Sequence, residues 1–276
     1  MADEEEGEKA VRYRSVSQYN DYRKCPHMYY LKRMLKAWSR PAAWLPQGTA
    51  VHKAVEEWEK SGRTLSLEQT QEVYRDEYVN VANEMLAEVP NMEYWFDSGP
   101  YDGETDLERR FEIGLQQVEK VLRFLSQQKD EVIWVDPDGN PGIELEFTLE
   151  LDGILVRGFI DRVTRKRDVL TELSVDDLKT GNEPGDEFQP GTYKVALEEK
   201  YPGITVVRGG YLMAGKKNVK NSRYIEADIS HFNKEMLTKE YHWLDENIKA
   251  ERFDPDPEPK KCMFCSVRTA CEFSQA

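Results

Sequence analysis

The residue order predicts an α/β fold: a mixed sheet carrying the functional site, a helical lobe ahead of it, and a small lobe where the two ends of the chain meet. Three observations lead there. Residues 144–179 read as three short strands separated by turn signals. Amphipathic runs opened by capping residues precede them, at 66–89 and from 105 to about 128. Three of the four cysteines stand in Cys-x₂-Cys-x₅-Cys near the C-terminus, and the fourth, Cys25, lies near the other end.

Bulk composition narrows the class. Of 276 residues, 39% are hydrophobic and 33% charged, which suits a globular protein, and no run approaches the length of a membrane span. Residues 1–10 form an acidic polar stretch, unlike a signal or transit peptide, and are expected to be a disordered tail. The expected compartment is therefore the cytoplasm, or a nucleus-like compartment reached without cleavage. With 38 basic and 52 acidic residues the net charge is −14. Long-range repulsion at that charge argues against a generic nucleic-acid coat, but leaves room for a local basic groove or for metal ions to meet phosphate. The candidate basic clusters are Lys32, Arg33 and Lys36; Arg165, Lys166 and Arg167; and Lys216, Lys217 and Lys220. Each reads equally as a solvated face.

In chain order, Ser17 is the expected N-cap of a first short helix holding Tyr19 and Tyr22, and Pro26 opens a second just after Cys25. Gly48, His52 and Glu56 share one face of the next helix by i, i+4 spacing. Ser66 and Gln69 form a capping box, and Thr105 and Glu108 a second. Between them, residues 91–104 read as a loop with exposed aromatics, Trp95 and Phe96 among them. The turn cluster at 136–142 ends the helical part. After the three strands a polar loop leads to Gln189-Pro-Gly-Thr-Tyr193. Two more strands follow at 204–213 and 223–229, then a helix through Ile248 that Ser230 can cap, then a proline-stiffened stretch up to the cysteines.

The chemistry is concentrated in the three strands. Asp161 follows the apolar Phe159 and Ile160 in the second, and Asp177 and Lys179 end the third. Side chains in a strand alternate with period two, so Asp177 and Lys179 share a face. Two carboxylates from neighbouring strands beside an ammonium can hold a divalent cation next to a positive charge. Such a cation activates water and shields phosphate, and a lysine can orient the water or offset developing charge. An isolated Asp-x-Lys is also common on any charged strand face. The four cysteines have metal-ligand spacing in a reducing compartment. Spacing alone does not separate tetrahedral zinc from an iron–sulfur cluster.

Gly158-Phe-Ile-Asp161-Arg followed by Asp177-Leu-Lys179-Thr-Gly resembles the core of the RecB-type nucleases, a branch of the PD-(D/E)XK superfamily. The resemblance spans most of the chain. It takes in Ser-x-Ser and Cys25-Pro at the start, Gly48-x-x-x-His52, Glu144, and Gln189-x-x-x-Tyr193, the last with an unusual Pro190-Gly191 inside it. It implies a restriction-endonuclease-like mixed sheet and one nuclease domain over 11–276. That domain would comprise a helical lobe at 11–135 with Cys25 and His52, a core at 143–229, and a terminal helix and cysteine cluster at 230–276. His52, Asp161, Asp177 and the Leu178 carbonyl would hold Mg²⁺ or Mn²⁺, with Lys179, Gln189 and Tyr193 completing the catalytic set. Glu144 takes a less direct part. Cys25, Cys262, Cys265 and Cys271 would clamp a [4Fe-4S] cluster, giving an iron–sulfur lobe that joins both termini. The implied activity is metal-dependent exonuclease action on single-stranded DNA ends, 5′→3′, of the phage or CRISPR-associated kind. Oligomers occur among such proteins. The alternatives are a non-catalytic DNA-binding module, a zinc-stapled scaffold, and a spacer-processing subunit working with CRISPR integrase or recombination partners.

Overall fold

The computed structural model describes residues 13–215 and 219–276. The tail expected at 1–10, and Lys216 and Lys217, lie outside the described residues. Seven strands form one mixed sheet: β1 (Tyr13–Arg14), β2 (Glu131–Ile133), β3 (Ile143–Leu151), β4 (Ile154–Lys166), β5 (Glu172–Lys179), β6 (Thr205–Met213) and β7 (Arg223–Ala227). The path runs β1-β4-β5-β6-β7, with β2 and β3 also on β4. β4 is the hub because its 13 residues outrun any single partner. One of its edges carries β3 and then β2; the other carries β1 and then β5.

The three-strand meander forms at 143–179. Asp152 and Gly153 both take φ near the left-handed region, +47° and +88°, the geometry of a two-residue hairpin turn. β3–β4 and β4–β5 are antiparallel, whereas β5–β6 is parallel, with α6 (Phe188–Lys200) as the crossover.

Helices cover the sheet in two groups. α1 (Val16–Lys24), α6 and α7 (Lys234–Lys249) enclose the larger core with β3 and β4, where Phe147, Ile160, Leu197 and Leu237 are buried. α3 (Trp44–Lys60), α4 (Leu67–Glu88) and α5 (Gly103–Ser126) enclose a second core against Leu178 and Leu212. The Ser66–Gln69 capping box forms as expected. Three other caps sit upstream or downstream of their expected positions. Ser15, not Ser17, caps α1; Asp102, not Thr105, caps α5; Asn233, not Ser230, caps α7. Trp95 and Phe96 are buried rather than exposed, because Phe96 N donates to Pro41 O and the Trp95 indole N–H donates to Val89 O.

α4 and α5 approach closely at Gly114. A Cβ there would stand 2.1 Å from Tyr74 Oη. Tyr74 is fully buried and donates to Phe111 O, so it has nowhere to retreat. Gly114→Ala is expected to cost about 1–3 kcal/mol by overpacking, read as a lower urea midpoint with an unchanged m-value.

Candidate active site

The site forms where β4 and β5 part company with their neighbours. The register that pairs Ile143 with Arg162 and Leu145 with Ile160 sets Glu144 opposite Asp161. The register that pairs Arg162 with Asp176 sets Asp161 opposite Asp177. Three carboxylates are thus carried across three adjacent strands. α3 brings His52 over them: His52 Nδ1 is 3.4 Å from Asp161 Oδ2. Gly48, one turn earlier, leaves α3 close to the end of β5, where an added Cβ would lie 3.4 Å from Thr180 Oγ1.

Among the described residues, His52, Glu144 and Asp161 are the group that could hold a metal ion, with ligand atoms all within 4.8 Å of one another. Asp161 Oδ2 also accepts from Leu178 N at 2.8 Å, which fixes that carboxylate against β5. Asp177 is buried, and its Oδ2 accepts no hydrogen bond. Lys179 Nζ lies 2.6 Å from that oxygen, paired in charge but not in hydrogen-bond angle. A buried carboxylate oxygen left without a hydrogen bond, on the strand next to Asp161, fits a hard divalent cation, although Asp177 falls outside the closest ligand group of His52, Glu144 and Asp161.

The electrostatics agree. Burial pushes the Asp161 carboxyl well above the usual range, and Asp177 and Glu144 push it further. Burial raises Glu144 as well, with Glu56 and Asp177 adding to it. Burial depresses the His52 imidazole against the opposing pull of Asp177, leaving a neutral ligand nitrogen. These are acids that repel one another in the absence of a cation.

Glu144, which the sequence reading gave only a lesser part, belongs to the closest ligand group. Its backbone is left-handed, φ +47°, unusual for a side chain of this kind. Glu146, which spacing alone could not separate from it, is exposed and pairs with Arg157. The strand signal was present at both positions; the backbone turn that separates them is not written in residue type.

α6 closes the other side. It begins at Phe188, so Pro190 falls in its first turn, where a missing N–H costs nothing. Gln189 is therefore helical. Its Nε2 donates to Asp177 Oδ1 and, at 2.6 Å, to the Tyr193 hydroxyl. Its Oε1 accepts from Lys179 Nζ at 3.4 Å. One amide thus holds both the acid and the lysine. Burial raises the Tyr193 phenol far above its ordinary value, so it stays protonated. Of the basic clusters, Lys32 and Arg33 bind Asp21, and Arg165 donates to backbone carbonyls of its own turn.

The cysteines converge away from these acids. Cys25 caps α2 (Pro26–Tyr29), its Sγ accepting from Met28 N at 3.4 Å. Cys262 lies in α8 (Pro259–Met263), with Cys265 and Cys271 beyond it. All four line one cavity, together with Met28 and Leu31. Arg40 N donates to Ser266 O across the join of the two termini. Burial raises the Cys265 thiol pKa. Among the described residues no three thiol sulfurs lie within 4.8 Å of one another. Four thiolates on one zinc, at about 2.3 Å each, would stand only about 3.8 Å apart.

A mixed sheet whose adjacent strands carry acids and a lysine beneath a helix histidine has the donors for a divalent cation and the charge to meet a phosphate. The model of the PD-(D/E)XK nuclease superfamily matches residues 13–272, and the chain belongs to that superfamily. It is 48% identical over 261 residues to the Gene 69 protein of Mycobacterium phage D29, covering 94% of this chain and 96% of that one. To the Gene 69 protein of Mycobacterium phage L5 it is 46% identical over 280 residues, covering 94% and 95%. Among solved structures it is similar to a Eubacterium rectale protein named as a candidate exonuclease, at 12% identity and a TM-score of 0.47, over 96% of this chain and 90% of that one. Nucleases of the superfamily use Mg²⁺ or Mn²⁺. No helix among the described residues is long and apolar enough to cross a membrane.

Proposed function

We propose that this protein is a metal-dependent exonuclease that degrades single-stranded DNA from its ends, 5′→3′, in the cytoplasm of a phage-infected cell, with a [4Fe-4S] cluster clamped in its terminal lobe. The observation that carries the nuclease reading is the convergence of His52, Glu144 and Asp161, with Asp177 and Lys179 on the next strand. His52, Asp161, Asp177, Glu144 and the Leu178 carbonyl would hold the Mg²⁺ or Mn²⁺. The ion supplies Lewis acidity toward the phosphate and lowers the pKa of water.

The chain's own side chains do the rest. Lys179 Nζ stands beside Asp177 and orients the attacking water or offsets charge that develops on the phosphate. Gln189 fixes that lysine and Asp177 together, and Tyr193 fixes Gln189. Strand preference and polarity rest on the resemblance to RecB-type nucleases with four cluster cysteines. The iron–sulfur assignment rests on the resemblance, and four thiols lining one cavity are consistent with a shared metal centre.

Linear single strands labelled at either end, incubated with Mg²⁺ or Mn²⁺, test the activity. The 5′ label is expected to leave first, as short products, and circular single strands are expected to persist. Equal cutting of circles and linear strands would exclude exonuclease action.

A further inference from the structure

Besides Glu144 on β3, the metal-site reading places its ligands on α3, β4 and β5, the first of these distant in sequence from the other two. A single buried guanidinium touches all three. Arg162, next to Asp161 on β4, donates from Nε to Glu59 Oε1 on α3 at 3.0 Å, from Nη1 to Asp176 Oδ2 on β5, and from Nη2 to Glu131 Oε1 on β2 at 2.8 Å. The three side chains at its centre, Arg162, Glu59 and Asp176, are 4%, 1% and 3% exposed, so water does not substitute for these bonds. Arg63 and Arg208 bind the outer oxygens of Glu59 and Glu131, which balances three cations against three anions.

Two of the three carboxylates that Arg162 holds are tied to site residues. Asp176 precedes Asp177. Glu59 lies seven residues after His52, on the same stripe of α3. Arg162 itself follows Asp161. We propose that Arg162, through Glu59 and Asp176, is a positioning residue: it sets α3 and β5 against β4 so that His52, Asp161 and Asp177 meet. A planar fork with fixed donor directions can hold three elements at once, which a lysine ammonium cannot do with the same geometry. The network does not touch the metal or the substrate. Its effect on the site is that of an outer hydrogen-bond partner, and such partners change metal affinity by about 10–100-fold.

This inference rests on the metal-site reading, and the test separates the two. Mn²⁺ binding to the intact protein without DNA is measured by the loss of free-ion EPR signal, and Mg²⁺ binding by its competition. Glu59→Met frees α3 from Arg162 while leaving Asp176 and Glu131 as partners for the guanidinium. It is expected to weaken Mn²⁺ about tenfold and Mg²⁺ far less, because the imidazole that α3 carries favours Mn²⁺. Glu59→Gln keeps the Oε1 acceptor and is expected to restore Mn²⁺ affinity. General loosening of the fold would lower both ions together and would not be rescued. If Glu59→Met does not fold, Glu59→Asp keeps the charge balance, shortens the tether and is read by the same ratio. Unchanged Mn²⁺ binding, or an equal loss for both ions, overturns the positioning role. Asp161→Asn is the control. If it leaves Mn²⁺ binding intact, the metal site is wrong and the inference falls with it; if it abolishes binding while Glu59→Met does not, only the positioning role falls.

Discussion

Lys179→Ala is expected to lower cleavage of end-labelled single-stranded DNA by about 10²–10³-fold, the loss that follows removal of one preorganised charge-stabilising donor. The same variant should bind Mn²⁺ at least as well as the parent. Lys179 Nζ is 2.6 Å from Asp177 Oδ2 and within reach of Gln189 Oε1, so it lies beside the ion site without being a ligand. Removing a positive charge from that position relieves its repulsion of a cation, which offsets the lost support of Asp177. The side chain is about one third exposed and ends a strand, so the fold should tolerate the change. Asp177→Asn is the contrast: it should lose both Mn²⁺ binding and cleavage. Single-turnover cleavage, with Mn²⁺ titration of the protein alone, reads the two apart. A Lys179→Ala protein that cuts at the parental rate would remove the lysine from the chemistry, and one that cannot bind Mn²⁺ would make its role structural.

Much of the scaffold was legible in residue order because it rests on local rules. Strand alternation, the Asp152-Gly153 turn and the Ser66–Gln69 box each need only a few neighbouring residues. Caps at α1, α5 and α7 were misplaced by two or three residues where several Ser, Thr, Asp or Asn compete, as in Asp102-Gly-Glu-Thr105 and Ser230-His-Phe-Asn233; there the backbone entry angle decides, and sequence does not state it. The burial of Trp95 and Phe96 depended on Val89 and on Pro41, the latter more than fifty residues away. Asp161, Asp177 and Lys179 could be picked out by spacing. Their assembly with Glu144 could not, because it follows from two strand registers and one left-handed residue. Arg162 stood in the recognised motif, but its role was not legible there, because its Glu59 partner is 103 positions away. The unusual Pro190-Gly191 inside the Gln189–Tyr193 stretch causes no conflict, because α6 begins at Phe188 and so places Pro190 in its first turn.

The second large effect is expected at the opposite end of the molecule. Cys262→Ser should give protein without the brown colour of an iron–sulfur centre, with a melting temperature lower by roughly 10–15 °C. The argument begins with burial. After Ile248, Val267 is the sole buried residue through the end of the chain. Phe253 stacks on Tyr29 and Tyr30 and anchors the start of this stretch, but ordering a residue costs about 1–2 kcal/mol, and beyond it one buried valine contributes little toward holding the rest in place. Yet Cys262, Cys265 and Cys271 face Cys25 across one cavity, and Val267 packs on Met28 and Leu31. Thiolate ligation, as proposed above, would supply the missing stabilisation, as in small domains whose ligation energy is their folding energy. Joining residue 25 to residue 262 closes nearly the whole chain, and by loop-closure entropy such a link contributes about 5 kcal/mol. Cys25 itself sits between α1 and α2, whose Tyr19, Tyr22 and Tyr29 belong to the main core, so its half of the lobe stays anchored. The C-terminal half should therefore detach first, and limited proteolysis should clip the variant within residues 250–262 while the parent resists. Iron and acid-labile sulfide measured on anaerobically purified parent should match in amount. A colourless, zinc-rich parent would replace the cluster by zinc, and a Cys262→Ser protein that keeps both the parental melting temperature and its protease resistance would mean that no ligand joins the two ends.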